Sequence, residues 1–210
     1  MLLKTLAIAA LPAGLAFCST ATSPDTSSED QFSAEALSNY SAYSDGTTNP
    51  WTVVPGTLQG NGIGQQSVLV RKADIMSNGW IEITADSIDD GGIVAHFSDN
   101  EHYWLLAVRD DQAPYPRSVD NLQLYRRGGA GQSGFVSEWR TDVFWPRGTQ
   151  HRVRLEMMGD TLRVHFDGAV IGQVIESAMP LSGTGFGVRH YGATASWISR
   201  YRILRWKRSK

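Results

Sequence analysis

The side chains that could do chemistry in this chain are scattered along it, not gathered into a signature. The densest acidic run is Glu82, Asp86, Asp89 and Asp90. Retaining glycoside hydrolysis needs two carboxylates about 5 Å apart, and the spacing of these four is wrong for one strand face. Asp89-Asp90-Gly91-Gly92 reads more simply as a turn. The alternative is a calcium site with oxygen ligands from Asp86, Asp89 and Asp90. The five histidines, at positions 96, 102, 151, 165 and 190, have no helical i, i+4 spacing and no adjacent second ligand, so zinc is not expected. Gly62-Ile63-Gly64 leads into a strand and cannot cradle a phosphate at a helix N-terminus. No nucleophile elbow or P-loop occurs.

What remains is binding chemistry. Sugars stack their C–H faces on aromatic rings and hydrogen-bond to planar polar groups. Trp139 and Trp145 flank the polar stretch Arg140-Thr141-Asp142, and Tyr115 stands between Pro114 and Pro116 in an irregular segment running from Asp110 to Asn121. Loops of that length are often functional. His96, Arg109 and Arg189 complete the candidate ligand-binding set. For each tryptophan the competing reading is core packing. His96 falls on the opposite face from Ile93, Ala95 and Phe97, which predicts that it points to solvent.

The elements that must position these residues are strands. Leu162, Val164 and Phe166 alternate with Arg163 and His165, so one face is dry and the other wet. Asp167-Gly168 then supplies the backbone of a tight hairpin. The same rhythm runs from Trp51-Thr52-Val53-Val54 around Pro55-Gly56 to the C-terminus. In His151–Met158, Val153, Leu155 and Met157 face inward. No segment shows a sustained 3.6-residue period. The pattern predicts an all-β jelly-roll sandwich of two antiparallel sheets.

The 210 residues carry a formal net charge of −2 and 41% hydrophobic residues. No overall field favours nucleic acid or an anionic membrane. The single cysteine, Cys18, lies outside the expected domain, which therefore has no internal disulfide. Leu6 to Phe17 is apolar, follows Lys4, and is shorter than the ~20 residues of a membrane span. Residues 1–21 thus read as a signal peptide, or as a retained apolar segment. Leu15-Ala16-Phe17-Cys18 is similar to a lipobox, with Phe17 where a small residue is expected. Residues 22–35 are Ser-, Thr- and acid-rich and read as a disordered tether. Residues 36–210 form the domain. The basic C-terminus, Arg200 to Lys210, either lines a wet strand face or touches phosphates.

Trp51, Val53, Gly56 and Leu58 are followed in order by Gly92, Ile93, Phe97, Asp99, Tyr103 and Leu105. Then come Leu122, Leu124, Tyr125 and Arg126, then Asp167 and Gly168, then Gly183, Gly187, Tyr191 and Trp197. This order resembles the concanavalin A-like lectin/glucanase superfamily, near its laminin-G-like and family-16-like branches. The resemblance implies an exported non-catalytic module that binds a glycan or cell-surface polysaccharide, with no cofactor or with calcium. The Glu-x-Asp-x-Glu triplet of family-16 enzymes is missing. A divergent glycoside hydrolase of that group is the rival reading. The third is a structural or adhesion domain bound to other proteins of a virion or cell-surface assembly. The corresponding locations are secreted, periplasmic, cell-surface or virion.

Overall fold

A computed structural model describes residues 27–46, 48–62, 65–114, 120–128, 134–176, 181–194 and 196–209. The strands are, in chain order, β1 Ser28–Asp30, β2 Tyr40–Ser44, β3 Trp51–Val54, β4 Thr57–Asn61, β5 Gln65–Arg71, β6 Gly79–Ile88 and β7 Gly91–Asp99. They continue as β8 His102–Val108, β9 Leu122–Arg127, β10 Phe135–Thr141, β11 His151–Met158, β12 Thr161–Phe166, β13 Ala169–Ile175, β14 Gly185–Gly192 and β15 Ile198–Arg208. Ala36–Asn39 makes one 3-10 turn. One sheet has the order β13-β12-β11-β6-β15-β4-β3, with β1 added on β15. The other is β10-β9-β8-β7-β14-β5-β2. Every pairing is antiparallel among the described residues.

The inward residues of the two sheets interdigitate in one core. Ile81, Ile83, Val153, Leu155, Met157, Leu162, Val164 and Leu204 come from the eight-stranded sheet. Ile93, Trp104, Leu106, Leu124, Phe186 and Val188 come from the seven-stranded one. The predicted sandwich is thus observed. Phe166 is half-buried, its ring 5.7 Å from that of Trp145 and 5.0 Å from His151. The C-terminal arginines line the wet face: Arg205 pairs with Glu29 at 2.6 Å and Arg202 with Asp86 at 2.6 Å.

The seven-stranded sheet is apolar on both faces at its centre. Val68, Val70, Val94, Phe97, Tyr103, Leu105 and Ala107 form a second buried cluster on the side away from the eight-stranded sheet. This is why β8 reads as an unbroken run, Tyr103 to Val108, without alternation.

Two calls change. Part of the expected tether at 22–35 belongs to the fold: β1 pairs with β15, and Phe32 is 1% exposed. Asp30 accepts hydrogen bonds from the Phe32 backbone at 2.8 Å and the Tyr40 hydroxyl at 2.9 Å. A three-residue strand has no alternation to read, and Arg205, the ion-pair partner of Glu29, lies 176 positions away. The segment 1–21 lies outside the described residues. The second correction is His96, which is 6% exposed, not solvent-facing. Its φ is +49°, and the β7–β8 register jumps from Ala95↔Trp104 to Asp99↔His102. This bulge moves Phe97 onto the face of Val94 and turns His96 inward. There its Nε2 donates to the Ser77 carbonyl at 3.0 Å, and its Nδ1 lies 3.8 Å from Glu176.

The Asp167-Gly168 turn has φ values of +48° and +90°, as a primed two-residue hairpin requires. Asp167 also reaches across to the neighbouring strand: Oδ1 accepts from the Arg152 N–H at 2.9 Å, and Oδ2 lies 2.7 Å from His151 Nδ1. A Cβ at Gly168 meets nothing within 4 Å, so its cost is purely the strained backbone. Gly168→Val is expected to lower stability by about 1–3 kcal/mol. Chemical denaturation checks this, and an unchanged midpoint would contradict it.

Candidate functional site

The candidate site lies at one end of the outer face of the seven-stranded sheet, where β7, β9 and β5 begin and β8, β10, β14 and β2 end. Alternation decides what points into it. In β9, Leu122 and Leu124 enter the core, so Gln123, Tyr125 and Arg127 face out. In β14, Phe186, Val188 and His190 enter the interior and leave Arg189 and Tyr191 on the outer face. The result is a groove of about 590 Å³. Leu105 and Ala107 pave it, and Gln66, Asp90, Arg109, Tyr125, Phe135 and Arg140 stand among its walls. A larger groove of about 800 Å³ opens beside β1, near Arg71 and Trp206. None of the candidate ligand-binding residues lines it, whereas Arg109 and Arg189 line the first.

The polar floor is a network. Asp90 Oδ1 accepts from Arg189 Nη1 at 2.7 Å and lies 3.4 Å from Arg109 Nη2. Arg109 Nη1 donates to Gln123 Oε1 at 3.2 Å, and Arg189 Nε to Gln66 Oε1 at 3.3 Å. The Tyr125 hydroxyl also donates to Gln123 Oε1. On the far side Arg127 donates to the Tyr103 hydroxyl at 3.2 Å and to Glu101 at 2.6 Å, with its guanidinium 5.1 Å from the Phe135 ring. Burial pushes the Tyr103 phenol above its usual range, although Arg127 opposes the shift. Tyr103 therefore stays neutral near pH 7 and keeps its hydroxyl as a hydrogen-bonding group.

The bend before β7 sets Asp90 in place. β6 and β7 belong to different sheets, so Asp89-Asp90-Gly91-Gly92 is a crossing between layers. The Tyr201 hydroxyl enters this crossing, where it accepts from the Gly92 N–H at 2.8 Å and donates to the Arg189 carbonyl. A Cβ at Gly91 would sit 2.2 Å from that hydroxyl, so only glycine fits. Asp89 accepts from the Ile198 N–H at 2.7 Å and binds Arg147, which also holds Asp110.

Arg109 and Arg189 are the candidates that the structure brings together. Trp145 is fully buried, with its indole N–H donated to the Thr149 carbonyl at 3.2 Å. Trp139 is half-buried against the core, and its indole covers Gly172, where a Cβ would lie 2.2 Å from Cε2. Both indoles therefore pack, because the sandwich needs bulk where β10 meets β13 and where β12 ends. Trp145 offers no free stacking face, and Trp139 spends part of its ring on Gly172. His96 is buried away from the groove, and Tyr115 lies outside the described residues. The carboxylates of Asp86, Asp89 and Asp90 do not converge, each being turned to a different arginine or arginine pair: Arg202, Arg147, and Arg109 with Arg189. Among the described residues no three His, Cys, Asp or Glu side chains gather as a metal site. The groove residues not among the candidate ligand-binding residues are Gln66, Gln123, Tyr125, Arg127, Phe135 and Tyr191, while Asp90, named only as a possible calcium ligand, serves as an arginine anchor. The signal for those on β9 was present, since they are the wet partners of Leu122 and Leu124.

No protein-family model matches the chain, and no curated protein matches its sequence. Solved structures do match in shape. A β-glucanase from Bacillus licheniformis aligns with TM-score 0.60 at 10% identity, over 89% of this chain and all of that one. The carbohydrate binding module CBM66 from Bacillus subtilis aligns with TM-score 0.54 at 14% identity, over 81% and 92%. The potassium-bound carbohydrate recognition domain of Emp46p aligns with TM-score 0.55 at 13% identity, over 84% and 91%. The fold is the concanavalin A-like jelly roll. At these identities the likeness concerns the fold, which hosts both binding modules and hydrolases.

Proposed function

We propose that this chain is an exported, non-catalytic glycan-binding module whose ligand lies in the groove of the seven-stranded sheet. One observation carries the reading: apolar floor, tyrosine rings and converging planar polar groups meet in the same concave site, as a sugar chain requires. The carbohydrate-binding domains among its structural neighbours support it. Export is supported by the apolar run Leu6 to Phe17 after Lys4. The non-catalytic reading is supported by the state of Asp90. Its Oδ1 is already held by two guanidiniums, which makes it an anchor for Arg109 and Arg189, and the sequence lacks the Glu-x-Asp-x-Glu triplet.

The test is a glycan-array screen followed by calorimetric titration of the best ligand. Tyr125→Ala and Tyr191→Ala should each weaken binding about tenfold, the loss of roughly 1–2 kcal/mol of buried sugar C–H surface on one ring. Both rings are half-buried, so the variants should remain folded. Wild-type affinity in both variants would place the ligand elsewhere. Release of reducing ends from the bound glycan would favour the hydrolase.

A further inference from the structure

The groove supplies hydrogen-bond donors in excess, and three of its acceptor oxygens are already engaged within the protein. Four of its lining side chains are arginines, Arg109, Arg127, Arg140 and Arg189, against two aspartates, Asp45 and Asp90. A guanidinium carries five N–H donors and no acceptor. Three acceptor oxygens that could receive sugar hydroxyl protons are engaged within the protein. Asp90 Oδ1 serves Arg189 and Arg109, Gln66 Oε1 serves Arg189, and Gln123 Oε1 serves Arg109 and Tyr125. Asp45 stands near Arg127 and raises its basicity. The outer partners of the remaining arginines lie outside the lining: Glu101, 61% exposed, on Arg127, and Asp120 on Arg140, itself 67% exposed. Water screens both pairs.

A neutral sugar hydroxyl brings one donor with its two acceptor lone pairs, so its proton must still find an acceptor that this arginine-rich lining supplies sparingly. A ligand that brings oxygen acceptors without protons fits this lining, and forked guanidiniums match planar or tetrahedral oxyanions. We propose that the groove selects acidic glycans, chains whose sugars carry carboxylate or sulfate groups, with the oxyanion placed toward the exposed Arg140 guanidinium. This rests on the glycan-binding reading above and specifies its substrate class.

The experiment is an array of acidic glycans, uronate-containing and sulfated, printed beside neutral chains, including carboxyl-reduced and desulfated forms of the same chains. Hits should be acidic, and removal of the charge should weaken binding about tenfold or more, the size of a charge-assisted hydrogen bond. The gap should narrow when salt is raised from about 0.1 M to about 1 M, where the Debye length falls to roughly 3 Å. Arg140→Gln, at an exposed rim position, should weaken binding of the acidic hit about threefold more than binding of its neutral form. Binding of uronates but not sulfates, or the reverse, identifies the source of the oxyanion. Equal binding of charged and neutral forms would overturn the proposal and leave the glycan reading standing. No binding to any glycan on the array would overturn both.

Discussion

Arg147→Ala should lower stability by about 3 kcal/mol, the low end for breaking a buried ion pair, because the guanidinium is one-third exposed. Arg147 bridges two carboxylates that water hardly reaches, Asp89 and Asp110, which are 3% and 2% exposed. Its Nε donates to Asp110 Oδ2 at 2.9 Å and its Nη2 to Asp110 Oδ1 at 3.1 Å, while Nη2 also binds Asp89. Without it, two negative charges face each other with only backbone N–H donors: Ile88 at 3.0 Å and Gln112 at 2.9 Å on Asp110, and Ile198 at 2.7 Å on Asp89. The melting temperature should fall by roughly 6–12 °C for a domain of this size. Adding Asp89→Asn should recover part of the loss, since one of the two charges is then gone. A change below about 2 °C in the single variant would show that the pair is already solvated. The same variant should weaken ligand binding, because Asp89 pins the crossing that carries Asp90 into the groove.

Stability should also fall as the pH drops from about 6.5 toward about 4, by on the order of 3 kcal/mol from one residue. His190 is fully buried and hydrogen-bonded to Ser199 through Nδ1 at 3.0 Å. Burial, with Arg189 beside it, pushes its pKa down to about 4, while Asp90 acts weakly in the other direction. The unfolded chain takes up this proton near pH 6.5 and the folded one only near 4. Its contribution is therefore complete above about 6.5 and is lost as the pH falls through 4. Acid titration of carboxylates adds to the slope in any protein, so the measurement is a comparison. Melting temperatures of the parent and His190→Gln between about pH 7 and about pH 4 should converge as the pH falls. Parallel curves would show that His190 takes up its proton in the folded chain as readily as in the unfolded one. Because Arg189 is the next residue on β14, loosening of this strand in acid should be accompanied by weaker ligand binding.

The legible and illegible parts of the chain divide by range. Alternation in Val153, Leu155 and Met157, and in Leu162, Val164 and Phe166, exposed the strands and their dry faces, because period-2 burial is a local property. The Asp167-Gly168 turn was legible for the same reason. The clamp from Asp167 to Arg152 and His151 was not, since it joins strands fifteen and sixteen positions apart. His96 was misplaced because a bulge breaks the phase on which the face assignment depended. Trp139 and Trp145 were misjudged because polar neighbours in sequence say nothing about the gap a ring fills. Gly172 makes room for one of these indoles, and Phe166 and His151 flank the other.

By itself the sequence determined the class of fold: a chain of alternating segments separated by tight turns can bury its dry faces only by stacking two sheets. It also determined that Arg109 and Arg189 were worth attention. Only the tertiary structure decided what they do. Asp90 and Arg189 are 99 positions apart, and Gln66 and Arg189 are 123 apart. They meet because β14 is seated between β7 and β5. Strand order across a sheet is set by the packing of the whole core and leaves no trace in local periodicity. A binding site assembled across that order becomes visible only when the sheet is closed.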